Sequence, residues 1–171
     1  MRKVVLTFLL FSCLYSLADD FKTTFFTGYS FAKTKSYGNY EFYTFIADFT
    51  KPIKGSKSCF FQIEPSIAHV LNPSDNFEIG VSLFALYRFS GSNFQPYVKI
   101  GTGIVYFSTD FTEQATHFNF ATSIGLGLKF SLKRFSIYTE GRFRHVSNAG
   151  IKLPNEGINS KIFLFGIGYN F

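Results

Sequence analysis

His145 and Ser147 stand two residues apart at the end of a strand-like run, a base and a hydroxyl where apolar side chains are expected. A serine hydroxyl is a poor nucleophile until a neighbouring base takes its proton, and histidine is the usual base. Counting by twos, Phe135, Ile137, Thr139, Gly141 and Phe143 share a parity with His145 and Ser147. Arg134, Ser136, Tyr138, Glu140, Arg142 and Arg144 share the other. Successive side chains of a strand point to opposite faces, so the pair points where the phenylalanines point. Two residues of strand advance only about 6.6 Å, within which the imidazole can lean to the hydroxyl. A hydrolase then needs a third group to orient the imidazole and donors for an oxyanion. The segment that follows offers Asn148, Asn155, Glu156 and Asn159, with backbone amides around Ala149 and Gly150. Alone, His-x-Ser is a weak signal, and a solvated strand end is its bland reading. Polar groups facing lipid are costly, so the apolar face raises its weight.

The same parity runs through the elements that must hold the pair. Phe163, Phe165, Ile167, Tyr169 and Phe171 alternate with Leu164, Gly166, Gly168 and Asn170. From Phe118 to Phe130, aromatic and branched residues alternate with Asn119, Ala121, Ser123, Gly125, Gly127 and Lys129. Phe94 to Phe107 and Phe77 to Phe89 repeat the pattern. The amino-terminal half is less clean. Pro65 interrupts one run, Phe42 and Ile46 blur another, and Phe25 to Lys33 is strand-like without clear parity. Turn signals fall at Gly38-Asn39, at 52–58, at 72–76 and at Gly91-Ser92-Asn93, and two polar outer loops are expected at 109–116 and 148–159. Eight strands result. The 25 Phe and 10 Tyr of the chain alternate with polar residues instead of forming a run long enough for a membrane helix. The pattern predicts an all-β fold, an eight-stranded antiparallel transmembrane β-barrel with an apolar outside and a polar, side-chain-filled inside. A soluble periplasmic barrel that turns its apolar face inward is the competing architecture.

The amino terminus reads as an export signal. Met1-Arg2-Lys3 is a basic start, an apolar stretch to Phe11 follows, and Ser16-Leu17-Ala18 supplies small residues for a cut after Ala18. The bulky Phe11 argues against a lipobox at Cys13. The expected domains are therefore 1–18, signal peptide, and 19–171, barrel. Arg2 and Lys3 leave with the signal, lowering the formal charge from +6 to +4. Cys59 then stands alone and can make no internal disulfide.

Several residues are set aside. His69 and His117 sit near strand ends, remote from the pair, and two scattered histidines with one cysteine make no metal site. Glu64, Glu78, Arg88, Lys99, Lys129, Glu140, Arg142 and Arg144 share the inner parity, which suits an ion-pair network in the lumen. Dispersed charge of this kind leaves no stripe for nucleic acid.

Arg144-His145-Val146-Ser147-Asn148-Ala149-Gly150-Ile151-Lys152, followed by Pro154-Asn155-Glu156-Gly157-Ile158-Asn159-Ser160, resembles the lipid A 3-O-deacylase (PagL) family of outer-membrane enzymes. Phe118-Asn119-Phe120, Gly125-Leu126-Gly127 and the aromatic carboxyl end resemble it too. The close resemblance covers roughly the last third of the chain. It implies His145 as base, Ser147 as nucleophile and Asn148 at the oxyanion, where the nearby Gly150 amide is the second candidate donor. It also implies hydrolysis of the ester-linked acyl chain at the 3 position of lipid A, the substrate partner, in the outer membrane. No metal or cofactor is implied, and a homodimer is left open. One position departs: the family's acidic residue falls on Asn159. An asparagine carbonyl can accept the imidazole N–H but brings no charge to an imidazolium. Glu156 is the alternate orienter, and Glu140 is placed in the lumen by its parity. The competing function is a non-catalytic small outer-membrane barrel for adhesion, protection or membrane structure.

Overall fold

The computed structural model describes residues 22–34, 38–109 and 114–169. The expected signal segment, its cut after Ala18 and the terminal Phe171 lie outside the described residues. Eight strands follow in order: β1 (Lys22–Thr34), β2 (Gly38–Pro52), β3 (Cys59–Asn72), β4 (Asn76–Arg88), β5 (Phe94–Phe107), β6 (Phe118–Ser131), β7 (Phe135–Ser147) and β8 (Ile158–Tyr169). Each pairs antiparallel with the next, and β8 returns to β1, so the sheet closes. Closure matters because an open edge would leave backbone N–H and C=O groups unpaired in hydrocarbon.

The strands keep strict two-face alternation. On β6 every odd step from Phe118 to Phe130 is buried and every even step is exposed. Around the barrel the exposed face carries Phe25, Phe45, Ile67, Leu83, Ile100, Leu126, Phe143 and Phe165. So large a continuous apolar surface has no place in water, and it forms the lipid-facing belt. The competing soluble barrel, with its apolar face inward, is thereby excluded.

The amino-terminal strands lacked legible parity because their inner face mixes large apolar residues with polar ones such as Ser30, Thr44 and Asp48. Phe26, Tyr40, Phe42 and Ile46 all point inward and are buried. Tyr40 and Phe42 pack with Val70, Phe107, Val146 and Ile158 at the end of the barrel where β7 finishes, while the same cluster reaches down through Ile46 to Phe26, which packs edge-on against Tyr138. Glycines on facing strands make room for large inner side chains: a Cβ at Gly127 would fall 2.1 Å from the Tyr97 ring.

Below the apolar plug the lumen holds the expected ion pairs. Lys99 Nζ lies 2.5 Å from Glu64 and 2.8 Å from Glu140. Arg142 meets the same two carboxylates at 2.8 and 2.7 Å, and Tyr97 donates to Glu140 at 3.0 Å. Nearer the plug, Arg144 makes a two-point contact with Glu78 at 2.7 and 3.1 Å, and Glu78 also accepts from Tyr40. Arg88 and Lys129 share the inner face but sit toward the other end, over Phe60 and beside Tyr138.

Glu64, Glu140, Lys99 and Arg142 form a buried, balanced set of two negative and two positive charges. Breaking a buried pair leaves an uncompensated charge, at a cost of about 3–5 kcal/mol. Arg142→Ala should therefore lower stability by about that much, read as the midpoint of urea unfolding in the heat-modifiable gel shift. Adding Glu64→Gln restores charge balance and should recover part of the loss. Equal midpoints for all three proteins would show that the network carries no stability.

Candidate active site

His145 and Ser147 lie on the outer face of β7, and Val146 between them is fully buried in the apolar plug. That buried valine fixes which way its neighbours point. Arg144, on the inner parity, is held by Glu78, so the strand cannot rotate to hide the imidazole.

The cross-strand register decides what the imidazole meets. His145 stands opposite Asn159 on β8 and opposite Thr122 on β6. Directly opposed side chains in an antiparallel pair start about 5 Å apart at Cβ. Nδ1 of His145 and Oδ1 of Asn159 are separated by 2.8 Å. An amide oxygen can only accept, so Nδ1 donates and carries the ring proton. Nε2 is left with its lone pair, the form a general base requires. Ser147 is half-buried and stands opposite Phe120. Among the described residues its hydroxyl holds no hydrogen bond, so it is uncommitted. Glu156 is exposed on the following loop, while Nδ1 is occupied by Asn159.

The loop between β7 and β8 is built around Asn148, which is wholly buried. Its backbone N–H donates to Asn155 Oδ1 at 2.9 Å, and its Nδ2 donates to the Lys152 carbonyl at 2.7 Å. Its Oδ1 accepts the Gly150 N–H at 2.9 Å. Asn148 and Gly150 are thus brought together beside the serine, but with each other and with the loop as partners. The tip turns through Ala149 and Gly150, both at positive φ. A second loop lies over the first: Gln114 bridges Asn155, and the Ala115 N–H donates to the Pro154 carbonyl at 3.2 Å. Residues 110–113 of that expected loop are outside the described residues.

The loop's last residues return to the imidazole. Gly157 has φ +73°, and a Cβ there would fall 2.6 Å from His145 Cε1. In the sequence Gly157 is only one position of the Pro154-Asn155-Glu156-Gly157 run, and its contact with the ring appears only once the loop folds back. The two histidines set aside lie apart from the site. His69 pairs with Asp75 at 2.5 Å, and His117 bonds the Phe107 carbonyl and stacks on Tyr106.

Below the pair the lipid face is hollowed. Gly141, four residues before His145 on the same face, presents no side chain between Leu126 and Phe163, its partners across β6 and β8. The depressions on either side share these three residues, so one apolar trough runs down the barrel wall beneath the pair.

A closed barrel with an apolar belt and an oriented histidine near a serine on its outer face defines a class, the small outer-membrane barrels that carry a polar site on the outside. Within that class the chain belongs to the lipid A 3-O-deacylase (PagL) family, whose model matches residues 20–168. The lipid A deacylase PagL of Pseudomonas aeruginosa is 38% identical over 85 residues, which are 48% of this chain and 47% of that protein. The alignment therefore spans about half the length of the relative. The crystal structure of the outer membrane enzyme PagL superposes with a TM-score of 0.67 at 23% identity, covering 83% of this chain and 97% of that one. Neisserial surface protein A superposes with a TM-score of 0.72 at 13% identity, covering 89% and 97%. The barrel is thus shared by proteins of different sequence, and the fold by itself selects no activity.

The Gly157 contact has a direct spectroscopic consequence. A methyl at 157 meets the ring, so Gly157→Ala should displace the imidazole and abolish the hydrogen-bonded Nδ1 proton resonance of His145. Gly55→Ala is the control, because Gly55 also has positive φ (+84°) but open space around it. An unchanged His145 resonance in Gly157→Ala would show that the loop does not hold the ring.

Proposed function

We propose that the chain is an outer-membrane serine esterase that removes the ester-linked acyl chain from the 3 position of lipid A. The observation that carries the reading is the His145–Asn159 bond on the outer face of a barrel of the PagL family. Nε2 of His145 takes the proton of Ser147 as Oγ attacks the ester carbonyl. The same proton then goes to the departing sugar hydroxyl, leaving an acyl-enzyme. Water, deprotonated by His145, releases the fatty acid and restores Ser147. Asn159 keeps the ring in the base tautomer throughout. The trough at Gly141 seats the acyl chain, which needs an apolar surface continuous with the membrane.

Asn148 Nδ2 and the Gly150 N–H are the proposed oxyanion donors. Both are engaged inside the loop, so the developing oxyanion takes a donor in exchange for a loop partner. That exchange favours the transition state, whose charged oxygen is the stronger acceptor.

Asn159 orients without supplying charge, so an imidazolium forms at a higher cost than beside a carboxylate. Asn159→Asp should therefore raise kcat by about tenfold, equivalent to ~1.4 kcal/mol of barrel-bound transition state. Asn159→Ala should lower it by about 10², the scale of losing a poised base. Glu156→Ala should change little, and a larger loss there than in Asn159→Ala would transfer the orienting role to Glu156.

Mass spectrometry of lipid A from cells expressing the chain tests the reading itself. The intact protein should remove one hydroxyacyl chain, and Ser147→Ala none. Identical lipid A with a folded barrel in both cases would point to a non-catalytic small barrel instead.

A further inference from the structure

Two lysines on the lipid-facing surface flank the candidate site, and neither belongs to the catalytic constellation. Lys161 follows Asn159 by two residues on β8 and is exposed on the same outer face. It stands between Phe143 on β7 and Phe31 on β1, with its ammonium 6.0 Å from the Phe31 ring. Lys33 is the next outward residue after Phe31 on β1 and is exposed as well. The neighbouring pair Ala32↔Ser160 places Lys33 laterally beside Asn159. Across four strands the outer face therefore reads Thr122, His145, Asn159, Lys33, with Ile124, Phe143, Lys161, Phe31 one step deeper.

A cation on the outside of a membrane barrel is expensive unless it reaches the interface or finds an anion. Of the internal cations, Lys99, Arg142 and Arg144 have carboxylates, while Arg88 and Lys129 lie against the rings of Phe60 and Tyr138. Lys33 and Lys161 have no acidic partner among the described residues. Both sit near the loop-bearing end of the belt, where a long side chain can lift its ammonium to headgroup level. They are one and two strand spacings from His145, about 5–10 Å, the reach of a substituent on the sugar that carries the ester.

We infer that Lys33 and Lys161 form a cationic seat across the β8–β1 seam that takes a lipid-borne phosphate and so sets the sugar ring over Ser147. The inference rests on the esterase reading for what the seat serves. Its chemistry, a phosphate on an acylated sugar held at the lipid boundary, stands on two lysines without an acidic partner among the described residues and on their register. Lys161 also lines the upper part of the trough, so the anion seat and the acyl groove adjoin on the wall below the row that carries His145. The lysines are positioning and selectivity residues, acting on which lipid binds and how it lies.

The test uses the full barrel in detergent micelles, carrying Ser147→Ala so that bound lipid is not turned over. Native mass spectrometry with equimolar phosphorylated and dephosphorylated lipid A reads the ratio of the two adducts. The expected ratio is about tenfold or more in favour of the phosphorylated lipid, falling to near one in Lys33→Gln/Lys161→Gln. Lys161→Arg should retain the preference, because charge and reach survive. Lys54→Gln/Lys57→Gln, in the turn at the opposite end of the barrel, should retain it too. Inorganic phosphate alone should not displace the phosphorylated lipid, since the seat is filled from the membrane. A ratio near one before any lysine is changed, or a preference that survives the Lys33/Lys161 double variant, would overturn the seat. Equal loss in the Lys54/Lys57 variant would reduce it to general charge, and displacement by inorganic phosphate would overturn its lipid assignment. Lysine-dependent binding in a protein that releases no acyl chain with Ser147 intact would sink the esterase reading and leave the seat standing.

Discussion

The pairing of β1 with β8 is the contact on which everything else rests, because it removes the sheet's edges from a solvent that offers no hydrogen bonds. Once the sheet is closed, each strand has one face in the lumen and one in lipid, with no third place for a side chain. Every polar residue on the outer parity is then conspicuous. His145, Ser147, Asn159, Lys33 and Lys161 are all on that parity, and all cluster on three adjacent strands, β7, β8 and β1, at one end of the barrel. In a water-soluble fold the same residues would be ordinary surface.

The lumen serves the site by holding the wall rigid behind it. Val146 is anchored in the apolar plug and Arg144 on Glu78, so the last turns of β7 cannot slip by a residue without burying the imidazole. Further down, Arg142 and Lys99 tie β3, β5 and β7 together through Glu64 and Glu140. No side chain of this network reaches the outside. Its contribution to the proposed chemistry is positional, through the strand that carries both base and nucleophile.

How much was legible beforehand varies by residue. The carboxyl-terminal strands showed their faces plainly, because their inner residues are small or polar. The amino-terminal strands did not, since Phe26, Phe42 and Ile46 fill the lumen and look like outward residues. The expectation that Glu140 lies in the lumen matches its contacts with Lys99 and Arg142. Spacing alone could not choose between Asn159 and Glu156 beside His145, because twelve or so residues of loop can return in more than one way. Gly157 against the ring, and Asn148 as the internal staple of the loop, had no local signature at all.

By itself the sequence determined the two faces of the carboxyl-terminal strands and the residue types available for chemistry, because alternation is a property of the extended backbone and needs no partner. It also determined the family, through the run from Arg144 to Ser160 and the pattern around it. Only the tertiary structure decided which residues share a row across strands. That register depends on closure, on the packing of the lumen and on how each loop returns, none of which is local to a segment. It set Asn159 2.8 Å from His145 and carried two lysines, without an acidic partner among the described residues, to the edge of the same site.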